Sequence, residues 1–146
     1  MLLPLAVRLV DPAAQGTFTT IEVPGAVRTV ASGINVRGDI VGRYFGADGV
    51  THGFLLREGE FTTIDVPDAT FTVANGITPS GDIVGDYTTA DGRSHGFLLR
   101  GDEFTTIDVP GATDTFAFAI NARGDIVGPC VSTDGRRPSY LLRQGP

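Results

Sequence analysis

The chain of 146 residues has no lysine and no tryptophan, one cysteine, one methionine and two histidines. Without lysine there is neither a Schiff-base amine nor the lysine of a phosphate-binding loop, and no cofactor is expected. The lone Cys130 can form neither an internal disulfide nor a four-thiolate zinc site, so the fold must stand on packing. Cationic charge rests on arginine alone, and the formal charge of -6 excludes nucleic acid, whose backbone is held by cationic side chains. Long apolar runs are missing as well. The start, MLLPLAV, is broken by Arg8, carries no basic residue before it, and is too short for a signal h-region or a membrane span. A soluble chain without a membrane partner is expected.

What the chain does have is a period of 43 residues without insertion or deletion. Phe18, Phe61 and Phe104 open three copies of FTTI-(E/D)-VP, and Asp39, Asp82 and Asp125 open three copies of Asp-Ile-Val-Gly. A unit of that length cannot bury its apolar faces alone, so the units must stack or close into a ring. The whole chain, 1–146, reads as one repeat domain, with an atypical segment 1–16 and repeats over 17–143.

Gly and Asp-Gly punctuation cuts each unit into four runs of strand length, an all-β module. In the first unit they are Thr29 to Asn35, Asp39 to Phe45, Thr51 to Arg57 and Glu60 to Val66. Asn35 to Gly38, Thr78 to Gly81 and Asn121 to Gly124 suit short hairpin turns with a left-handed glycine. Apolar residues on both faces of the strands imply sheets covered on both sides. Ala31 and Gly33, with Ala74 and Gly76, keep the first strand of the unit small, as crowding near a common axis would require.

Before the first full unit stands a lone copy of the fourth strand, Thr17 to Val23, and the last unit lacks its fourth strand. The N-terminal strand is therefore expected to complete the last sheet, giving three four-stranded, propeller-like blades. Three blades are fewer than the roughly four to eight typical of propellers. A symmetric homodimer closing a six-bladed ring is the favoured solution, with a strained monomer, a β-trefoil or a β-prism as alternatives.

The consensus FTTIDVPGA, then Gly-Ile-Asn-x-x-Gly-x-Ile-Val-Gly-x-Tyr, then Asp-Gly-x-x-His-Gly-Phe-Leu-Leu resembles the bacterial extracellular HAF-type repeat. The resemblance covers Thr17 to Arg143, and its most specific part is the His-Gly-Phe of His52 to Phe54 and His95 to Phe97. It implies repeat architecture and an exported or surface origin, without naming a reaction. The third unit departs, with Pro138-Ser139-Tyr140 in place of His-Gly-Phe.

Two function classes follow. In the first, the chain is a binding or surface-display module for a small molecule or glycan, with Tyr44, Tyr87 and Tyr140 as stacking rings beside Arg43 and Asp86. In the second it is a small ester or phosphotriester hydrolase. Its site lies where the period breaks, with Cys130 as nucleophile and His52 or His95 as base. No oxyanion motif and no Gly-x-Ser-x-Gly elbow accompanies that cysteine, so the binding module is preferred. A third reading is a segment of a longer array.

His52 and His95 at equivalent places could face a common axis and hold a metal, but Pro138 removes the third ligand, and no metal is assigned. Asp48, Asp91 and Asp134 provide one carboxylate per turn, too few for calcium. Arg57, Arg100 and Arg143 recur at a strand end and Asp65, Asp108 and Glu22 on the next strand, so interstrand or interblade ion pairs at equivalent places are expected.

Overall fold

The computed structural model describes residues 8, 9, 11 and 16–144, so most of the atypical segment 1–16 lies outside the described residues. Among these there are twelve strands and no helix. The first sheet holds β1 (Arg28–Ile34), β2 (Ile40–Phe45), β3 (Thr51–Arg57) and β4 (Glu60–Ile64). The second repeats it with β5 (Phe71–Ile77), β6 (Ile83–Thr88), β7 (Ser94–Arg100) and β8 (Glu103–Ile107). The third comprises β9 (Ala112–Thr115), β10 (Ala119–Ile120), β11 (Ile126–Ser132) and β12 (Ser139–Leu142). Each ladder is antiparallel and joins strands of one unit, in chain order across the first two sheets.

The turns form as the sequence suggests. Gly38, Gly81 and Gly124 donate to the carbonyls of Asn35, Thr78 and Asn121, and the Asn35 side chain accepts from the amides of Arg37 and Asp39. Each glycine sits in the left-handed region that a side chain disfavours. The glycine of Asp-Ile-Val-Gly has a different reason. A Cβ on Gly42, Gly85 or Gly128 would run into the carbonyl oxygen of Val30, Val73 or Phe116 on the opposed inner strand.

That inner strand is bulged at one repeat position. Pairing slips between Ala31 and Gly33, leaving Ser32 unpaired, and between Ala74 and Gly76, leaving Asn75. In the third unit the strand breaks altogether around the equivalent Phe118, and its halves, β9 and β10, both pair with β11. A bulge re-aims the extra side chain out of the ladder.

The sheets stack in a row. β5 packs on β1, β2 and β3, while β10 packs on β5 and β6, and β9 on β7. The first joint buries Val41, Ile64 and Val66 with Ala74, Ile77 and Ile83, and the second buries Val84, Leu98 and Ile107 with Ala117 and Ile126. Among the described residues only the middle sheet is covered on both sides, so the expectation of double coverage is not met there for its neighbours. Ile77 is 7% exposed, whereas the equivalent Ile34 in the first sheet is 67% exposed. Val84 is fully buried, and the equivalent Val127 in the third sheet is 45% exposed.

The expected N-terminal latch is not formed. Thr17 to Val23 joins no ladder among the described residues, and Phe18 is 85% exposed. The free edge of β12 pairs with no strand among the described residues. The third sheet counts four strands because its inner strand is split in two, and no strand among the described residues takes the place held by β4 and β8 in the other sheets. The row is therefore not closed into a ring.

Candidate functional site

The inner strands of all three sheets converge on a cleft of about 310 Å³, lined by Ser32, Arg43, Phe71, Val73, Asn75, Asp86, Phe116 and Phe118. The bulges explain the convergence, since Ser32, Asn75 and Phe118 are the residues at the slipped or broken position of each unit. Arg43 and Asp86 are likewise equivalents, one per unit, with Pro129 third. Repetition thus delivers the same two positions from successive units to one place. Divergence fills them with a cation, an acid, an amide, a hydroxyl and a ring.

Asp86 is buried, and burial pushes its carboxyl up to about 6, against the hydrogen bond from Asn75 and the charge of Arg43. Asn75 Nδ2 donates to the carboxylate at 2.9 Å and to the carbonyl of Ala117 at 2.8 Å. A buried carboxyl with a raised pKa beside a cation in a cleft is the physical signature of a functional position. Tyr140 lies close enough to feel it. Burial, then the charges of Asp86 and Cys130, push its phenol up to about 12, and its hydroxyl donates to the Phe116 carbonyl at 2.7 Å.

The other candidates go elsewhere. Tyr44 and Tyr87 stack on His52 and His95 at 5.1 Å and bond Thr63 and Thr106 at 2.8 Å, so their rings are engaged within their own sheets. Both ring nitrogens of His52 face carboxylates, Nδ1 that of Asp65 at 2.8 Å and Nε2 that of Asp48 at 2.9 Å. That arrangement suits the imidazolium, which donates from both. Burial opposes the charge, but the two carboxylates outweigh it and raise the His52 pKa. His95 bonds Asp108 at 2.7 Å and approaches Thr89 Oγ1 at 3.3 Å. The histidines turn to Asp65 and Asp108, just past the ends of β4 and β8, not to each other. No group of three His, Cys, Asp or Glu suited to a metal occurs among the described residues.

Asp65 and Asp108 are therefore spoken for by histidine, and the expected arginine pairs are replaced. Arg57 reaches Asp39 at 3.2 Å and Arg100 reaches Asp82 at 3.0 Å, across the hairpin at the other end of the strands. Glu22 and Arg143 do not pair among the described residues, because the segment holding Glu22 is not on the third sheet.

Cys130 is buried in β11 opposite Thr115. The hydrogen bonds of both histidines lead to other partners, and none joins either ring to the thiol. The nucleophile and base of the hydrolase reading are not brought together.

The sequence points to Arg43 and Asp86 in this cleft and to the nearby Tyr140, but not to Ser32 and Asn75. Their signal was a variable residue between the small residues of the inner strand, Ala31-Ser32-Gly33 and Ala74-Asn75-Gly76. No family model, no curated protein and no solved structure matches the chain.

Proposed function

We propose that the chain is a non-enzymatic, exported or surface binding module of the HAF-repeat type, built of propeller-like blades, whose inner cleft holds a sugar or a similarly hydroxylated small molecule. One observation carries the reading: Arg43, Asp86, Asn75 and Ser32 meet beside Phe71, Phe116 and Phe118 in a single cleft. A sugar presents hydroxyls that donate and accept at fixed spacing, and C–H faces that pack on rings. A carboxylate, an amide and a guanidinium beside aromatic walls answer both needs. The blade reading is supported by strands paired in chain order and by an inner strand so crowded that a Cβ on Gly33 would lie 2.8 Å from the Asn75 carbonyl. Resemblance to HAF repeats supports the exported origin.

A glycan array probed with wild type beside Asp86→Ala and Arg43→Ala tests it. Hits lost in both variants support the cleft as the site. An array without hits, or hits indifferent to both substitutions, overturns the reading.

A further inference from the structure

We infer that two copies of this chain exchange their N-terminal segments, each Thr17 to Val23 adding to the open β12 edge of the other. The segment FTTIEV repeats the FTTIDV that spans β4 and β8 and the two residues after each, yet it joins no ladder among the described residues. Its far end is seated as in the other units. The Val23 amide donates to Thr29 Oγ1 at 3.0 Å, as Val66 does to Thr72 and Val109 to Thr115. What precedes each such connection elsewhere is the outer strand of the preceding sheet. Among the described residues no strand precedes the first sheet and none occupies the outer place of the third.

The repeat sets the register. Leu99 faces Phe104 and Arg100 faces Glu103 across β7 and β8, so advancing one unit places Phe18 opposite Leu142 and Thr17 opposite Arg143. The vacancy has the right shape. Phe104 lines the groove of about 510 Å³ between the first two sheets, and its ring meets Phe97 edge-on at 5.4 Å. The equivalent groove of about 410 Å³ between the second and third sheets runs along Tyr140, Leu141 and Leu142 with no such ring. Phe18 of a second copy supplies it, against Tyr140 where Phe97 stood.

The uncovered faces agree. Val127 and Leu141 repeat Val84 and Leu98, which bury themselves at the second joint, while Ile34 repeats Ile77, which buries itself at the first. The third sheet of one copy and the first sheet of another therefore present the two halves of the same joint. Such a head-to-tail contact forms a ring or a filament according to whether its rotation closes. Two copies give six sheets, within the roughly four to eight that blade-like sheets close, whereas one or three copies fall outside. The strand addition rests on register and would stand if the ligand reading failed.

The test begins with the unmodified chain in light scattering, expected at twice 15.3 kDa. Thr17→Cys with Arg143→Cys in a Cys130→Ala background then places two thiols across the inferred ladder, where opposed Cα atoms lie about 5.5 Å apart, within disulfide reach. Oxidation should give a covalent dimer on a non-reducing gel, and neither single cysteine variant should do so. Phe18→Asp should raise the dimer Kd at least about 100-fold, since both joints lose a buried ring, while Phe18→Leu keeps the dimer. A mass of one chain, a disulfide closed within one chain, or an open ladder of trimers and higher species would each overturn the exchange. Should the cysteine variant fail to fold, the mass of wild type and of Phe18→Asp decides.

Discussion

Asn75 clamps Asp86: its Nδ2 donates to the buried carboxylate at 2.9 Å and to the Ala117 carbonyl at 2.8 Å, tying the acid of the second sheet to the inner strand of the third. The folded carboxyl titrates near 6 and the unfolded one near 3.8, so between those values the folded chain holds the extra proton. Stability conferred below that window is lost as pH rises through about 6. Asp86→Asn keeps an acceptor for Asn75, and at pH 7.5 it should stabilise the fold by roughly 2–3 kcal/mol. It should also flatten the urea midpoint between pH 4 and 6. A variant less stable than wild type at pH 7.5 would contradict the burial cost.

His52 acts with the same sign at higher pH. Its pKa is raised above 6.5, so the stability it confers is full below that value and fades as pH rises through the folded pKa. His52→Gln should remove that slope, measured as melting temperature from pH 6 to 9. An NMR titration of the His52 ring with its midpoint at or below 6.5 would contradict the carboxylate clamp.

Gly85→Ala should be among the most damaging single changes, because the added Cβ meets the Val73 carbonyl and the Phe97 ring, neither of which can retreat. A loss of about 2 kcal/mol or more in urea unfolding is expected. Gly92→Ala, whose Cβ would meet nothing within 4 Å, carries only the strain of its positive φ and should cost less.

Cys130 should behave as a small buried hydrophobe. A thiol reagent should label it slowly in the native chain and with one equivalent in denaturant. Fast native labelling would reopen its candidacy as a nucleophile.

The 43-residue period and its glycine turns make the four strands of the first unit legible to within two residues, but not the split of the inner strand in the third. Closure was not legible. Thr17 to Val23 reads as a strand because FTTI does, but a strand needs an edge within reach, and the sheet lacking one stands at the other end of the row. Partner choice failed for a similar reason. Arg57 and Asp65 alternate suitably in sequence, yet Asp65 lies beside His52 while Arg57 points back to the turn at Asp39. In the cleft, Arg43 and Asp86 stood out as charged residues at one repeat position. Ser32 and Asn75 did not, because a bulge sends them there and the ladder shift is invisible in composition.

The cleft as a functional centre depends above all on an acid held away from water between Asn75 and Arg43. The side-chain carboxyl carbon of Asp86, followed by NMR from pH 3 to 8, reports that directly. A midpoint near 6 is predicted. A midpoint in the ordinary carboxylate range, near 4, would contradict it.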